Sequence, residues 1–573
     1  MSLIGLIERT IIGIEFPAVL DRVTASVEVL RSNHHYAPEG MMFRVIGADP
    51  RRFDYVWDFG DPGAVFEVPD RIQDRDANKA IGPVAAHSFP PGTFEIRLRI
   101  SDRETDNIVG FWKYEATVKD PEDLPPLVVQ GDFDEAAAAY ALQGGRLVLP
   151  EGYVSSFRGG ALRNFSHPVA HISGPGKLEF EGGIGFQTAG IGLDQDVILS
   201  GFEMQGGWNA QTERFSRESG SAVFTPNGGA EDVGYIHIHG MKISGMGVGA
   251  YLTDSDLSFV SHTKIDGHQE YSVFNSPSPQ AHTAMIGCRF WQDPLALPGG
   301  NRAQPVRNQQ GPTRAQNTNV VIDACDMFST NGWFPNVLPY RTTQPCIRQK
   351  AEFATISRTV MEGGFSIASV DIGDTCLMQD NYFVGNHNTV EFAGIHGDGK
   401  ITLRGNKCYD ATTDLWWGEY GRKDFQAQNV DILFEDNLIA HTGRISISEG
   451  NRSVLYDQTE GLDAEPLFEP LEIGYRTRTE MTSVDIGTVQ PGETFEVEIQ
   501  NAEYELGGYF ELITFGPWLR ADDPVDGVLT FTNTTGQTLT GPHRVMAEHL
   551  SENAWIVPDT ATPKHIICSY EPL

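Results

Sequence analysis

Cysteine is scarce in this 573-residue chain, and so are positive charges and long apolar runs. The six cysteines, Cys288, Cys325, Cys346, Cys376, Cys408 and Cys568, make no CxxC pair. That removes the usual basis of a structural zinc site. Several sit at apolar positions of strand-like segments, where a free thiol packs as a small hydrophobe, so buried thiols are expected in preference to disulfides. Lys and Arg number 42 against 77 Asp and Glu, a net charge of −35. Such a chain repels nucleic acid and anionic membranes, and an anionic ligand must meet a local basic patch. The N-terminal stretch MSLIGLIERTIIGIEFPAVLDR lacks a basic leader and is interrupted by Glu8, Glu15 and Asp21. It reads as neither signal peptide nor membrane span, and no membrane insertion is expected. Extended helical periodicity is missing too. What the chain has instead is 61 Gly and 33 Pro at 40% hydrophobic and 21% charged residues, the composition of a folded all-β chain with many turns.

Residues 25–119 read as a small β-sandwich. GMMFRVIGAD alternates like a strand, FDYVWDFGDPG follows, and AHSFPPGTFEIRLRISD turns at Pro90-Pro91-Gly92 into a strand alternating Phe94, Ile96, Leu98 and Ile100. Trp57, Asp58, Phe59, Gly60 and Asp61, followed by His87, Phe89, Gly92 and Phe94, make this segment similar to the PKD-type immunoglobulin-like domain. Pro62, between Asp61 and Gly63, departs from the family's turn. The resemblance implies a spacer or carbohydrate-adjacent module and no catalysis. Residues 1–24 are left as an attachment segment and 120–130 as a Pro- and acid-rich linker.

Beyond the linker, DFDEAAAAYALQGG reads as a short helix with Asp134 as cap candidate and Gly144-Gly145 as its stop. A weak repeat follows: VILSGFEM, IHIHGMKI, SFVSHTKI, TAMIGCRF, VVIDACDM, ATISRTVM, CLMQDNYF, ITLRGNKC and ILFEDNLI. The segments end at Met204, Ile243, Ile265, Phe290, Met327, Met361, Phe383, Cys408 and Ile439, at spacings of 39, 22, 25, 37, 34, 22, 25 and 31. The floor of 22–25 is one solenoid coil; longer values are a coil with an inserted loop. One coil cannot bury its apolar face alone, but stacked coils share a continuous core. The register predicts one interior column of Leu199, Ile238, Val260, Met285, Ile356, Met378, Leu403 and Phe434. It also predicts a turn column of Gly201, Gly240, Gly287 and Gly405 with positive φ, and beside it an Asn381, Asn406 and Asn437 ladder bonding turn backbone. The fold class is all-β: a right-handed parallel β-helix over 131–455, preceded by the sandwich. The helix and GGRLVLPEGYV make its start similar to pectate-lyase-like β-helices. FEVEI and VLTFTN mark a C-terminal β-sandwich-like domain over 456–573.

The residue before the last apolar position of each repeat points outward. That column runs Glu203, Lys242, Lys264, Arg289, Asp326, Val360, Tyr382, Lys407 and Leu438. Three cations in succession repel unless an anion lies between them; a solvated ridge paired to loop acids is the alternative. Inserted loops carry Arg302, Arg307 and Arg314, then Trp333 and Tyr340, then Trp416, Trp417 and Tyr420. Exposed aromatics stack on sugar faces, and Arg grips carboxylate or sulfate bidentately; packing against the solenoid flank is the alternative. For β-elimination of a uronate the candidates are Lys264, Arg289 and Lys242, with His239 or His237 nearby. For hydrolysis, which needs two carboxylates, they are Asp323 and Asp380, with Glu435 close by. No residue pattern indicates a cofactor, a metal or a calcium ion.

A β-helix flanked by an N-terminal attachment module and a C-terminal β domain resembles a bacteriophage tailspike. That resemblance implies a virion protein that binds, and in many cases cuts, host surface polysaccharide. It also implies a homotrimer and other virion tail proteins as partners. A secreted bacterial polysaccharide lyase or hydrolase and a non-enzymatic adhesin are the alternatives.

Overall fold

The computed structural model describes residues 8–14, 26–68, 75–158, 167–180, 184–187, 195–206, 208–209, 214–215, 220–224, 233–253, 255–268, 271–276, 282–292, 304–308, 319–328, 345–349, 353–362, 364–368, 375–384, 390–393, 400–409, 415–417, 431–439, 445–447, 453–460, 477–498, 510–514, 519–521, 528–533, 538–550 and 564–572. Parallel ladders dominate it. Each coil contributes a strand to a first sheet, such as Asp196–Ser200, Val233–His239 and Ser255–Ser261, and after a tight turn a strand to a second sheet, such as Glu203–Gln205, Lys242–Ser244 and Lys264–His268. An 8-stranded third sheet runs from Ile184–Gln187 to Val390–Ala393. This is a parallel β-helix, with the right-handed crossover that parallel strands take.

The predicted interior column is in register from Leu199 through Ile238, Val260, Met285, Ile322, Ile356, Met378 and Leu403 to Phe434. Leu199 to Leu403 are buried in one core with Met204, Ile243, Ile265 and Phe290 of the second sheet and Ala250 and Val273 of the third. Alternation with period 2 is enough to place them, because a slip of one residue would turn every one of these side chains outward. Ile322 belongs to the same column and completes it.

The turn column is left-handed along its described length. Gly201, Gly240, Gly287 and Gly405 have φ of 78°, 59°, 58° and 60°, and the coils between them put His262, Ala324, Arg358 and Asp380 in the same conformation at 50°, 51°, 50° and 57°. Each of these amides donates to the strand of the next coil, as in Gly240 N to Ser261 O at 2.9 Å and Arg358 N to Gln379 O at 3.1 Å. The Asn ladder follows it. Asn381 Nδ2 donates to Ile356 O and to Asn406 Oδ1 (both 2.9 Å), and Asn406 Nδ2 donates to Met378 O at 3.0 Å and Asn437 Oδ1 at 2.9 Å. Thr359, Cys325, Cys288 and Thr263 extend that buried column toward the N-terminus, the thiols and hydroxyls bonding turn carbonyls in place of the amide. Cys288, Cys325 and Cys376 are free and buried.

The helix Phe133–Gln143 closes the open end, with Phe133, Ala137 and Tyr140 in the solenoid core. Its cap is Asp132, whose carboxylate accepts from Glu135 N at 3.2 Å; Asp134, the expected cap, lies in the first turn. Pro126–Val128, inside the expected linker, already pairs with Arg146–Val148, and Ser453–Glu460 pairs with Asp431–Ile439, so the solenoid extends past both expected bounds. The sandwich consists of two four-stranded sheets and begins with Glu8–Gly13, which pairs antiparallel with Ser26–Arg31 and so belongs to this unit and not to a separate attachment segment. The C-terminal part forms a four-stranded and a three-stranded sheet.

Candidate functional site

The outer face of the first sheet is covered. Val84–Phe89 of the sandwich lies against His282–Ile286, Asn319–Asp323 and Phe353–Ser357. Leu30, Met42, Phe66, Val84 and Ala86 share an apolar cluster with Tyr235, Leu257, Phe259, Ile286 and Val321. Gly40 marks the closest approach: its N–H donates to Tyr235 Oη at 2.7 Å, and a Cβ there would fall within the Phe259 ring.

This docking covers three of the candidate groups, Asp323, His239 and His237. Asp323 is buried, accepting from Arg358 through both carboxylate oxygens (Nε to Oδ1 2.8 Å) and from Ser357 Oγ at 2.8 Å. Arg358 in turn donates to the carbonyls of Asp76 at 2.8 Å and Lys79 at 2.6 Å, clamping the sandwich down. His239 sits beneath the sandwich, with Nδ1 2.8 Å from Ser261 Oγ and 3.2 Å from Ser88 Oγ. Burial drives its pKa well below the ordinary value, as it does for His237, pushed down to about 3. Asp380 occupies the turn column; burial raises its pKa against the pull of Gln379, Arg75, Arg358 and Lys407. Glu435 is taken by Arg103 at 2.7 Å and Arg404 at 3.1 Å, and Arg404 also reaches Asp54 at 2.7 Å. Asp323, through Arg358, and Glu435, through Arg103 and Arg404, fasten the sandwich to the solenoid.

The second sheet carries the cations where the repeat put them. Glu203, Lys242, Lys264, Arg289 and Asp326 are successive partners along the ladder, followed by Val360, Tyr382 and Lys407. Lys242 is exposed and Lys264 half-buried. Arg289 is half-buried and engaged: along one guanidinium edge its Nε and Nη2 donate to the two oxygens of Asp266 (Nε to Oδ1 3.0 Å), and its guanidinium carbon lies 4.0 Å from the Trp291 ring centroid. Burial raises the pKa of Asp266, opposed by Arg289 and Lys264, while Asp326 adds to the rise. Asp326 Oδ1 also lies 3.5 Å from the Trp291 indole nitrogen. Lys264, Asp266, Arg289 and Trp291, all half-buried, thus meet on one outward side of the second sheet beside Lys242, with the buried Asp326 adjoining them. Asp266 and Trp291 escaped the sequence reading, although each follows a column residue by two positions and so shares its face.

The other expected ligand-binding residues divide in two. Arg307, expected on an inserted loop, lies in the third-sheet strand Gln304–Asn308, level with Phe274 and Arg348. Trp416 and Trp417 lie on Leu415–Trp417, which pairs with Ile445–Ile447. Arg302, Arg314, Trp333, Tyr340 and Tyr420 fall outside the described residues. Among the described residues no group of three or more His, Cys, Asp or Glu is arranged to hold a metal ion.

No family model and no curated protein matches the chain. Solved structures that align with it include a family 28 exopolygalacturonase from Yersinia enterocolitica, 8% identical over 80% of this chain and 100% of the other, with a TM-score of 0.35. A thermostable alpha-1,3-glucanase catalytic unit from Streptomyces thermodiastaticus aligns at 11% identity over 76% and 90%, TM-score 0.33. A tailspike protein of E. coli bacteriophage HK620, in complex with a pentasaccharide, aligns at 10% over 74% and 90%, TM-score 0.23. At such values the strand ladders themselves carry the fold, and the chemistry rests on this chain's own residues.

Proposed function

We propose that this protein binds an acidic polysaccharide along the outer face of the second sheet. Lys242 and Lys264 take the anionic groups and Trp291 offers a ring face to a sugar. The observation that carries the reading is the succession of Lys242, Lys264 and Arg289 on three consecutive coils of a chain with net charge −35. Adjacent coils stand about 4.8 Å apart, close enough for one carboxylate or sulfate to bridge two ammonium groups. Arg289, held by Asp266, keeps Trp291 in place and lends its charge to the same surface. In this reading the N-terminal sandwich is a PKD-type module, and the protein is a tailspike-like virion component, trimeric and bound to other tail proteins, that meets host surface polysaccharide; a secreted polysaccharide-processing protein is the alternative setting.

A second reading adds cleavage, and one observation favours it. Asp266 is a carboxyl with a raised pKa beside two cations and a second carboxylate. A carboxyl whose proton affinity is raised by burial is a stronger base than an ordinary Asp. Lys264 and Lys242 then neutralise the uronate carboxylate while Asp266 or a neighbouring base takes the C5 proton; the C4–O bond breaks as the C4=C5 double bond forms, and the departing oxygen takes a proton from water.

Binding is tested on a panel of acidic and neutral polysaccharides with Lys242→Ala, Lys264→Ala and the Lys242/Lys264/Arg289 triple alanine variant. A charge-assisted contact is worth about 1.5–3 kcal/mol, so each single change is expected to weaken binding roughly tenfold to a hundredfold, and added salt to weaken the wild type. Undiminished binding by the triple variant refutes the proposal. Cleavage is tested by product assay with Asp266→Asn: loss of turnover with retained binding is expected.

A further inference from the structure

The seam between sandwich and solenoid concentrates histidine. His237 and His239 lie on one strand of the first sheet, and His262 starts the turn of the next coil. The ring centroids of His237 and His239 are 5.5 Å apart, and those of His239 and His262 are 5.3 Å apart. Partners come from both sides. Pro38 O lies 2.9 Å from His237 Nδ1, Ser88 Oγ 3.2 Å from His239 Nδ1, and the Phe66 ring stacks on His262 at 6.1 Å. Ser261 Oγ touches both His237 Nε2 (2.7 Å) and His239 Nδ1 (2.8 Å).

The hydrogen bonds suit neutral rings. A carbonyl only accepts, so His237 Nδ1 donates to Pro38 and Nε2 is left to accept from the Ser261 hydroxyl. A second proton on His237 would aim two ring donors at Ser261 and orphan the hydroxyl hydrogen. The charged groups that face the cluster offer little relief. His171 lies alongside on the same sheet face, with Nε2 3.3 Å from Ser200 Oγ, and Tyr235 Oη lies 3.2 Å from His237 Nδ1. From the sandwich come His87, engaged with Asp61 at 3.2 Å, and the Glu39–Arg31 pair; Asp323 is taken by Arg358, and Asp196 by His34 at 3.0 Å. His282, further along the seam, faces Arg9 and Arg44. Among the described residues, no carboxylate bonds to His237, His239 or His262.

We propose that this seam is an acid-operated latch: protonation of His237, His239 and His262 releases the N-terminal sandwich from the outer face of the first sheet. Burial depresses all three, His237 to about 3, His262 to about 4 and His239 well below the ordinary value. The released state, with ordinary rings near pH 6.5, binds more protons below that pH. Docking is therefore at full strength above about pH 6.5 and weakens as pH falls toward the docked values. Each histidine contributes a factor of about ten per pH unit, so the three together lower the docked-to-released ratio about a thousandfold per unit.

The test uses the full chain between pH 7.5 and 4.5. Small-angle scattering reads the separation of the sandwich, and far-ultraviolet circular dichroism reads the β-structure. The expected result is an increase in maximum dimension with the β signal retained. His239→Gln and His262→Asn should each reduce the steepness from about a thousandfold to about a hundredfold per pH unit; Asn is chosen at 262 because it tolerates the positive φ. Gly40→Ala, whose methyl collides with Phe259, should shift release to higher pH. If one histidine variant fails to fold, the other carries the test. A dimension unchanged to pH 4.5, an expansion that coincides with loss of the β signal, or variants as steep as the wild type each overturn the latch.

Discussion

Replacing Arg358 by Ala probes the joint between the two parts of the chain most sharply. Its guanidinium satisfies both oxygens of a buried carboxylate and two carbonyls of the sandwich at once, with side-chain exposures of 10% for Arg358 and 3% for Asp323. Removing it leaves Asp323 with Ser357 alone in a site closed to water. Breaking such a pair from one side costs about 3–5 kcal/mol, and two orphaned carbonyls add to the loss. The backbone at 358 keeps its φ of 50° in the variant, so any left-handed strain stays the same in both proteins. Unfolding by urea, followed by circular dichroism, should report a loss of at least about 3 kcal/mol. Asp323→Ala with Arg358→Ala should cost markedly less than the sum of the two single changes, because no charge is then left buried. A loss under about 1 kcal/mol for Arg358→Ala would place the pair among ordinary surface ion pairs and refute the clamp.

Leu403→Asn puts an amide into the interior column and should cost several kcal/mol, on the order of a lost buried Leu plus desolvation; thermal melting checks it, and a near-neutral result would sink the register. Asn406→Ala removes two donated bonds and two accepted ones from the ladder and should cost about 2–4 kcal/mol, read from the same melts. Arg289→Lys should weaken polysaccharide binding beyond what its conserved charge suggests, since Lys cannot bond both oxygens of Asp266 or lie flat on Trp291; titration calorimetry measures it. Light scattering at micromolar concentration should report a trimer, and a monomer would count against the tailspike-like setting.

Much of the solenoid was legible because its physics is periodic. Alternation placed Leu199 through Leu403 inside, recurring Gly marked the turn, and Asn381, Asn406 and Asn437 stood one position later. The occupants without glycine, His262, Ala324, Arg358 and Asp380, were harder, since each tolerates positive φ only in its context. The covered face was not read at all. Its signal was present: Ile198, Phe259, Ala284, Val321 and Leu377 make the first-sheet strands apolar on both faces, as strands buried on both sides are. With the cover supplied by residues 150 to 200 positions away, Asp323 and His239 read as candidates for chemistry and not as groups beneath the sandwich. The cation column was read correctly as a column, but its partner Asp266 was missed because only one outward position per strand was followed.

The most direct test of the central claim is a crystal structure with an acidic oligosaccharide bound. Sugar density over the second sheet, with anionic groups at Lys242 and Lys264 and a ring against Trp291, is the predicted result. Density confined to the third sheet or to the C-terminal sheets, with that face bare, would contradict it.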